Sequence, residues 1–584
     1  MKWVLAEQDA EAVLRLSEQA GLHPLIARLM MARGISDPSA VLSFLRSDLS
    51  SLSNPHIFRD MDAAVGRIRE ALSSRQKIVV FGDYDVDGIT GAAVLFLTLR
   101  ELGSDVDSYI PDRMTEGYGL NTGALQKIKG TGARLVITVD CGISAVKETE
   151  AARSLGLDLI ITDHHESAAV QGNGSAPADE QLPDALAVIH PRVLQPDTSD
   201  DTRMSVGGLT GVGVAFKLAQ ALIDAPADDE RLKKYLDLVT LGTVADMGRI
   251  TGENRVLVRH GLDILSSDAA YLRPGIAALK QVAGLNGKRV NVGNVGFNLA
   301  PRINASGRLE KAETAFRLMT TDSPEEAASL ADQMDTINRK RQAVEEGIWG
   351  TARELCLKAD LAKTGAFILS SEDWHPGVIG IVASRIVDEF YRPTALIAVK
   401  DGVGKGSARS IPGFDLYQGL TACSDILLGF GGHKYAAGIS IAADQIAHLR
   451  ERLNAVVLEK FGAGGFVRTM TIDSPVTFDE LSFDLMHAIE RMAPFGQGNP
   501  EPRFGAKGLE VLSLRQVGNN KHLKLRFRQQ NGLFFDAIAY NKSTSFGSWL
   551  RSGALVAAVF TPRINTWNGM NAIELDIRDI KVEK

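Results

Sequence analysis

Cysteine is scarce: Cys141, Cys356 and Cys423 are the only three in 584 residues. No two form a CxxC pair, which argues against a zinc-thiolate site or a redox dithiol and excludes a disulfide scaffold. So few thiols fit a reducing compartment. No run of about 18 apolar residues occurs, so no membrane span is expected. The opening MKWVLAEQDAEAVLRL carries acids within its first ten residues and lacks the basic and apolar regions of a secretion signal. The expectation is a cytoplasmic monomer with no membrane partner. There is no Walker A sequence, no Ser/His/Asp nucleophile motif, no internal repeat and no long low-complexity run.

What is present is ordinary in bulk. Apolar residues make up 45% and charged residues 23%, which excludes global disorder and collagen. The length suggests about three to four domains. Lys and Arg number 64 against 71 Asp and Glu, a net charge of −7. Taken over the whole chain, that balance argues against a partner as acidic as nucleic acid.

Patterning along the chain is more specific. Residues 1–50 read as short helices forming a cap packed on the domain next in sequence. In QKIVVFGDYDVDGITGAAVLFLTLRELG, Ile78–Phe81 reads as a buried strand, followed by an acidic turn and a helix over Gly91–Leu102. The theme repeats: 135–139 end at Asp140 before a helix at about 144–156, and 158–162 end at Asp163-His164-His165. Alternating apolar strands and helices imply a mostly parallel α/β sheet, whose sites gather at the carboxyl ends of the strands. Residues 167–184 read as an exposed loop. Ser323 and Pro324 open a connector helix over about 323–360. A second α/β unit covers about 365–462, and the last segment has the short strands and Gly/Asn turns of a small β-barrel. The expected division is a helical cap (1–50), a first α/β domain (51–265), a helical connector (266–360), a second α/β domain (361–465) and a barrel (466–584).

Asp83, Asp85 and Asp87 put three carboxylates at every second position after a buried strand, where alternate side chains point the same way. Such a density of like charge is costly unless a cation offsets it. The alternative is a solvated turn that caps the next helix. An EF-hand is rejected, because its twelfth position requires Glu and here holds Val94. Asp140, His164, His165 and Asp246 (in LVTLGTVADMG) would join the same pocket. A mixed oxygen and nitrogen donor set suits Mn²⁺ or Mg²⁺, with zinc as an alternative. A carboxylate at Asp140 could bridge two ions, and two metals can activate water for in-line phosphoryl displacement.

DYDVDG, VDCGIS, TDHHE and GTVADM together resemble the four motifs of the DHH phosphoesterase superfamily. PDRMTEGYGLN (111–121), PRINASGRLEKAETAF (301–316), GFGGHKYAAG (429–438) and PFGQGNPEP (494–502) narrow the resemblance, over about residues 50–584, to the RecJ family of single-strand-specific 5′→3′ DNA exonucleases. The resemblance implies two divalent ions held by Asp85, Asp87, Asp140, His164 and Asp246. Asp83 would be an added member, and His165 would lie close by, assisting the reaction. Phe81 stands where many superfamily members have His, which shifts one metal towards Asp83. The resemblance also implies that the second α/β unit is a DHH-associated domain facing the metals across a cleft. Arg302, Arg308, Ser407 and Arg409 are then candidates for a pocket holding a terminal 5′-phosphate.

Gly404–Ser410 and the segment containing Gly432 and His433 read as Gly-rich loops whose amides can cradle phosphate. Arg113 and Tyr118 offer a phosphate contact and a base-stacking ring, and His375 is either a cleft residue or a turn residue. From 505 to 570, nine Lys/Arg stand against two acids, a local charge of +7, interleaved with Phe527, Phe534, Phe535, Tyr540, Trp549 and Trp567. That is the make-up of an OB-fold for single strands, unless the rings are core and the cations a solvated face. Single-stranded DNA is the expected substrate, and the resemblance adds a helicase and a single-strand-binding protein as partners. A DHH phosphodiesterase for short oligonucleotides or cyclic dinucleotides and a non-catalytic strand-binding scaffold are the alternatives.

Overall fold

A computed structural model describes every residue except 114, 167–181, 268–271, 463, 531, 568 and 584, together with the Trp567 side chain. The expected loop at 167–184 therefore lies largely outside the described residues. The first domain is built on five parallel strands: β1 (Ile78–Gly82), β2 (Val106–Tyr109), β3 (Leu135–Val139), β4 (Asp158–Thr162) and β5 (Ala187–Ile189), in the order β2-β1-β3-β4-β5. The runs IVVFG and LVITV are wholly buried, as strands covered on both faces must be. Alternation divides them: Ile78 and Val80 pack with the helices of one face, Val79 and Phe81 with those of the other. Strand order reverses between β1 and β3. A ligand crevice opens at such a switch point, and Asp83 and Asp140 stand there.

The helix after β1 spans Val86–Glu101, starting five residues earlier than its apolar run suggests. Asp85 is its N-cap and Asp87 lies in its first turn. The three acids therefore do not follow strand alternation, and their convergence comes from the strand-to-helix turn instead.

The connector helix, Pro324–Leu357, begins as expected, with the Ser323 side chain accepting from the Glu326 N–H. It leads to a second sheet of β6 (Phe367–Ser371), β7 (Thr394–Lys400), β8 (Val403–Arg409), β9 (Gly429–His433) and β10 (Ala436–Ala442), ordered β9-β10-β8-β7-β6. Both expected Gly-rich loops are strands. Gly404–Arg409 lies inside β8, where Cβ atoms on Gly404 and Gly406 would come within 2.6 and 2.5 Å of Ile397 and Ile439. Gly429–His433 is the outer strand of a hairpin turning at Lys434-Tyr435, with Gly432 and His433 exposed.

The last sheet closes on itself. Strands β11 (Phe504–Val517), β12 (His522–Arg528), β13 (Phe534–Ala539), β14 (Leu555–Trp567) and β15 (Met570–Val582) run in the order β11-β12-β13-β15-β14, and β14 returns to β11. With β13 and β15 parallel, this is the five-stranded OB barrel. Phe527 is core, Phe535 packs on Phe478, and Phe534, Tyr540 and Trp549 are exposed.

The N-terminal cap is the clearest departure from expectation. Its helices Ala10–Ala20, Pro24–Met31 and Pro38–Arg46 share a hydrophobic core with the barrel, not with the domain next to them in sequence. A strand at Lys2–Leu5 runs parallel to Thr469–Ile472. The local amphipathic pattern shows that a face must be buried, but not against what. Among the described residues, no single helix is long and apolar enough to cross a membrane.

Candidate metal centre and strand cleft

The carboxylates and imidazoles converge at the ends of β1, β3 and β4. Asp140 ends β3 in a left-handed conformation (φ 63), and Asp163-His164-His165 end β4. Asp246 caps the C-terminus of the helix Leu236–Ala245. Ligand atoms of Asp83, Asp85 and Asp140 lie within 4.8 Å of one another; so do those of Asp87, His164 and Asp246, and those of Asp140, His164 and His165. His164 Nε2 is 3.1 Å from Asp140 Oδ1 and 3.7 Å from both Asp87 and Asp246.

Backbone amides fix this set. Asp85 Oδ1 accepts from the Asp87 and Gly88 N–H groups. The Asp87 oxygens accept from Gly211 (2.7 Å) and Val212 (2.9 Å) at the N-terminus of the helix Gly211–Ile223, where the helix dipole favours negative charge. Gly211 is needed there because a Cβ would lie 2.6 Å from Asp140 Cβ, and a Cβ on Gly242 would lie 2.7 Å from Asp87 Oδ1. Sequence reading passed over both glycines, because the contact that excludes a side chain is tertiary. Asp163, read only as part of its trio, accepts from the backbone of Ile143, His164 and His165 and from His165 Nδ1 at 2.8 Å. Phe81 is wholly buried, stacked on Tyr109, and contributes no ligand atom.

Within this pocket, three buried atoms with lone pairs have no hydrogen-bond partner: Asp83 Oδ1, Asp140 Oδ1 and His164 Nε2. Buried polar atoms are nearly always satisfied, so three orphans facing one space mark a place for a cation. The electrostatics agree. Burial and neighbouring carboxylates push Asp83, Asp87 and Asp140 well above the usual carboxylate range, and burial with Asp85 pushes Asp246 to about 7. Burial lowers His164 to about 3, keeping it neutral and able to ligate. Burial opposes charge on His165, but Asp163 outweighs it and holds the ring at about 9.

The raised carboxylate makes stability depend on pH. With Asp246 pushed up to about 7 in the folded chain, against ~3.9 unfolded, the folded chain binds more protons between those values. Stability then falls as pH rises through that window. In EDTA, thermal unfolding of the parent should drop relative to Asp246→Asn from about pH 4 to about pH 7, and Mn²⁺ should restore the parent. Parallel curves with no Mn²⁺ effect would contradict the cation site.

Beside the carboxylates is a cluster of cations. Arg308, on the helix Ala300–Leu309, donates to the Gly377 carbonyl across the cleft (2.9 Å). Burial and then Arg113, Arg341 and Arg409 lower it to about 10. Arg409 is lowered by burial and then by Arg113. It donates to Ser407 Oγ at 2.9 Å. Arg113 lies 5.1 Å from the Tyr84 ring. Mutually repelling guanidiniums at a domain junction suit an anion. Arg302 does not join them: its guanidinium pairs with Asp335 (2.9 Å) and the Asn298 carbonyl. Gly432 and His433 lie on the hairpin of the second sheet, and nothing places them in this cluster. His375 accepts from the Gly377 N–H, a turn role. The Tyr118 hydroxyl is 3.1 Å from His165 Nδ1, and its ring is half exposed.

Much of the barrel's local charge is offset. Arg526 pairs with Asp536 and Arg528 with Glu510, while Arg563 and Lys524 reach Glu501 and Glu574 outside the counted window. Lys507, Arg515, Lys521, Lys542 and Arg551 have no carboxylate partner among the described residues.

Comparison with known proteins matches residues 77–243 to the DHH family N-terminal domain, 363–459 to the DHHA1 domain and 472–579 to the RecJ OB domain. The single-stranded-DNA-specific exonuclease RecJ of Bacillus subtilis (strain 168) is 36% identical over 100% of this chain and 71% of its own length. That of Escherichia coli (strain K12) is 34% identical over 96% of each chain. The crystal structure of RecJ in complex with Mn²⁺ from Thermus thermophilus superposes with a TM-score of 0.81 at 29% identity, covering 100% of this chain and 80% of that one. A Mg²⁺ complex from the same organism gives 0.76 at 28% identity, covering 100% and 79%.

Proposed function

Because the chain belongs to the RecJ family, we propose that it is a metal-dependent exonuclease that degrades single-stranded DNA from the 5′ end to mononucleotides in DNA repair and recombination. The observation that carries this reading is the adjacency of two opposite sites: buried orphan lone pairs suited to cations, and a repelling arginine cluster suited to a phosphate. Asp83, Asp85, Asp87, Asp140, His164 and Asp246 would hold two Mn²⁺ or Mg²⁺ ions. Such ions, when bound, supply an activated water and offset charge on the phosphoryl oxygens.

The chain's own residues do the rest. Arg308, Arg409 and Ser407, with Arg113, hold the terminal phosphate, which sets the distance from the strand end to the cut. His165, held through Nδ1 by Asp163 and charged at neutral pH, donates a proton or hydrogen bond to a phosphate or leaving oxygen. Tyr118 orients His165 and offers its exposed ring to a base. The barrel holds the strand beyond the cleft. A cytoplasmic monomer working with a helicase and a single-strand-binding protein completes the reading.

Digestion of end-labelled strands in Mn²⁺ tests it. A 5′-phosphorylated strand should be preferred over the 5′-hydroxyl form by about tenfold to a hundredfold, the worth of roughly 1.5–3 kcal/mol of charge-assisted hydrogen bonds, and Arg409→Ala should erase most of that preference. A duplex should resist. Turnover of dinucleotides alone would favour the phosphodiesterase alternative, and tight binding without cleavage the scaffold.

A further inference from the structure

Two large apolar side chains stand in the open on the elements around Asp246. Met247, directly after Asp246, is 71% exposed at φ 57, and Phe297 is 85% exposed. Phe297 is the central residue of a single π-helical turn, Val295–Leu299, whose end residues Val295 and Leu299 are buried. Such turns are rare and concentrate at functional sites. This one packs on the helix that delivers Asp246, since a Cβ on Gly296 would sit 3.9 Å from Val244.

An isolated exposed phenylalanine needs no explanation. What matters is what lies on each side of this one. On one side is the helix that ends at Asp246. On the other, the segment entering the barrel closes over the same edge: Ile250 donates to the Gln497 carbonyl, and Gly496 fits against Ile250 and Val292. Past Gly496 opens a groove of about 500 Å³ lined by Phe495, Arg503, Tyr540 and Lys542, with Arg578 paired to Glu501 and Asp576 in its wall. Arg249, two residues beyond Met247, is exposed beside Gly498 and has no carboxylate partner among the described residues. Rings and cations thus stand on both sides of Gly496, in the barrel groove and on the turn that follows Asp246.

Resting on the exonuclease reading, we infer that the strand passes between the two, with an unpaired base stacked on Phe297 against Met247 and a phosphate on Arg249. Any base offers a face to a ring, so the step is indifferent to sequence. A paired base, stacked within its duplex, offers none. The step therefore adds selectivity for single strands to whatever the cleft width supplies.

The test uses the full chain and strands carrying 2-aminopurine at successive positions, bound in EDTA. Fluorescence should be quenched at one position a few nucleotides from the 5′-phosphate, lost in Phe297→Ala and retained in Phe297→Trp. In Mn²⁺, Phe297→Ala should raise KM for a long strand about tenfold, within the range for loss of one stacked base, and Phe297→Trp should restore it. Unaltered quenching and KM in Phe297→Ala would overturn the inference while leaving the exonuclease reading intact. A parent that cuts no strand would overturn the reading itself. A Phe297→Ala defect seen only when a second protein is added would make this face a protein dock and overturn the inference.

Discussion

Asp140→Asn is expected to reduce strand cleavage by more than about 10³-fold, beyond the ~10–100-fold typical of residues that only support metal ligands. Asp140 contributes to two of the three ligand groupings, and its Oδ1 is one of the three orphaned atoms. Asn is the informative substitution. The backbone at Asp140 is left-handed, which Asn tolerates and Ala does not, so Asn separates lost chemistry from strain. The same substitution removes a buried carboxylate from a repelling cluster. The metal-free variant should therefore unfold at a temperature no lower than the metal-free parent, while losing the parent's gain on adding Mn²⁺. Substantial cleavage with an intact Mn²⁺ shift would reject the assignment of Asp140 to the metals.

Arg255→Met is expected to cost about 2–5 kcal/mol of stability, because several buried carbonyls lose their donor at about 1–3 kcal/mol for each left unsatisfied. Arg255, on the helix Gly252–Ser266, is fully buried yet has no carboxylate beside it among the described residues. Instead it donates to the carbonyls of Phe44, Met492 and Ala493, with longer bonds to Arg491 and Pro494, and lies 3.8 Å from the Phe44 ring. Burial lowers its pKa to about 9, so it stays charged at neutral pH. One guanidinium thus fastens the first domain to both the N-terminal cap and the approach to the barrel. Met keeps volume but satisfies none of those carbonyls. Urea unfolding should show the loss, with the cap and barrel separating from the first domain in the transition. A change below about 1 kcal/mol would mean that water replaces the guanidinium freely.

How far the sequence could be read depended on whether a signal was local. Buried strands on both faces leave unbroken apolar runs, so β1, β3 and β4 were legible, and so were the acids at their ends. The barrel was legible by its short strands and turns. Arg302 and Arg308 show where reading stops. Six residues apart on one helix, they are turned roughly 240° from each other at 100° per residue. One meets Asp335 on the connector helix and the other Gly377 across the cleft. Sequence cannot choose between them without the partners. The Gly404–Arg409 run misled for a related reason: its small residues are set by isoleucines on adjacent strands, not by a turn. The barrel's +7 overstated its free charge, because Glu501 and Glu574 pair with its cations but lie outside the counted window.

The cap's attachment to the barrel has a consequence in time. Ribosomes add about 5–20 residues per second, so the first helices wait on the order of half a minute to a minute and a half before the barrel strands emerge. Until then Val13, Leu16, Ile26, Leu29 and Met30 have no partner surface, because their shared core is made last. The nascent chain carries that bare face through the synthesis of both α/β domains. A chain cut short before the barrel carries it permanently, and is a natural client for chaperones and proteases.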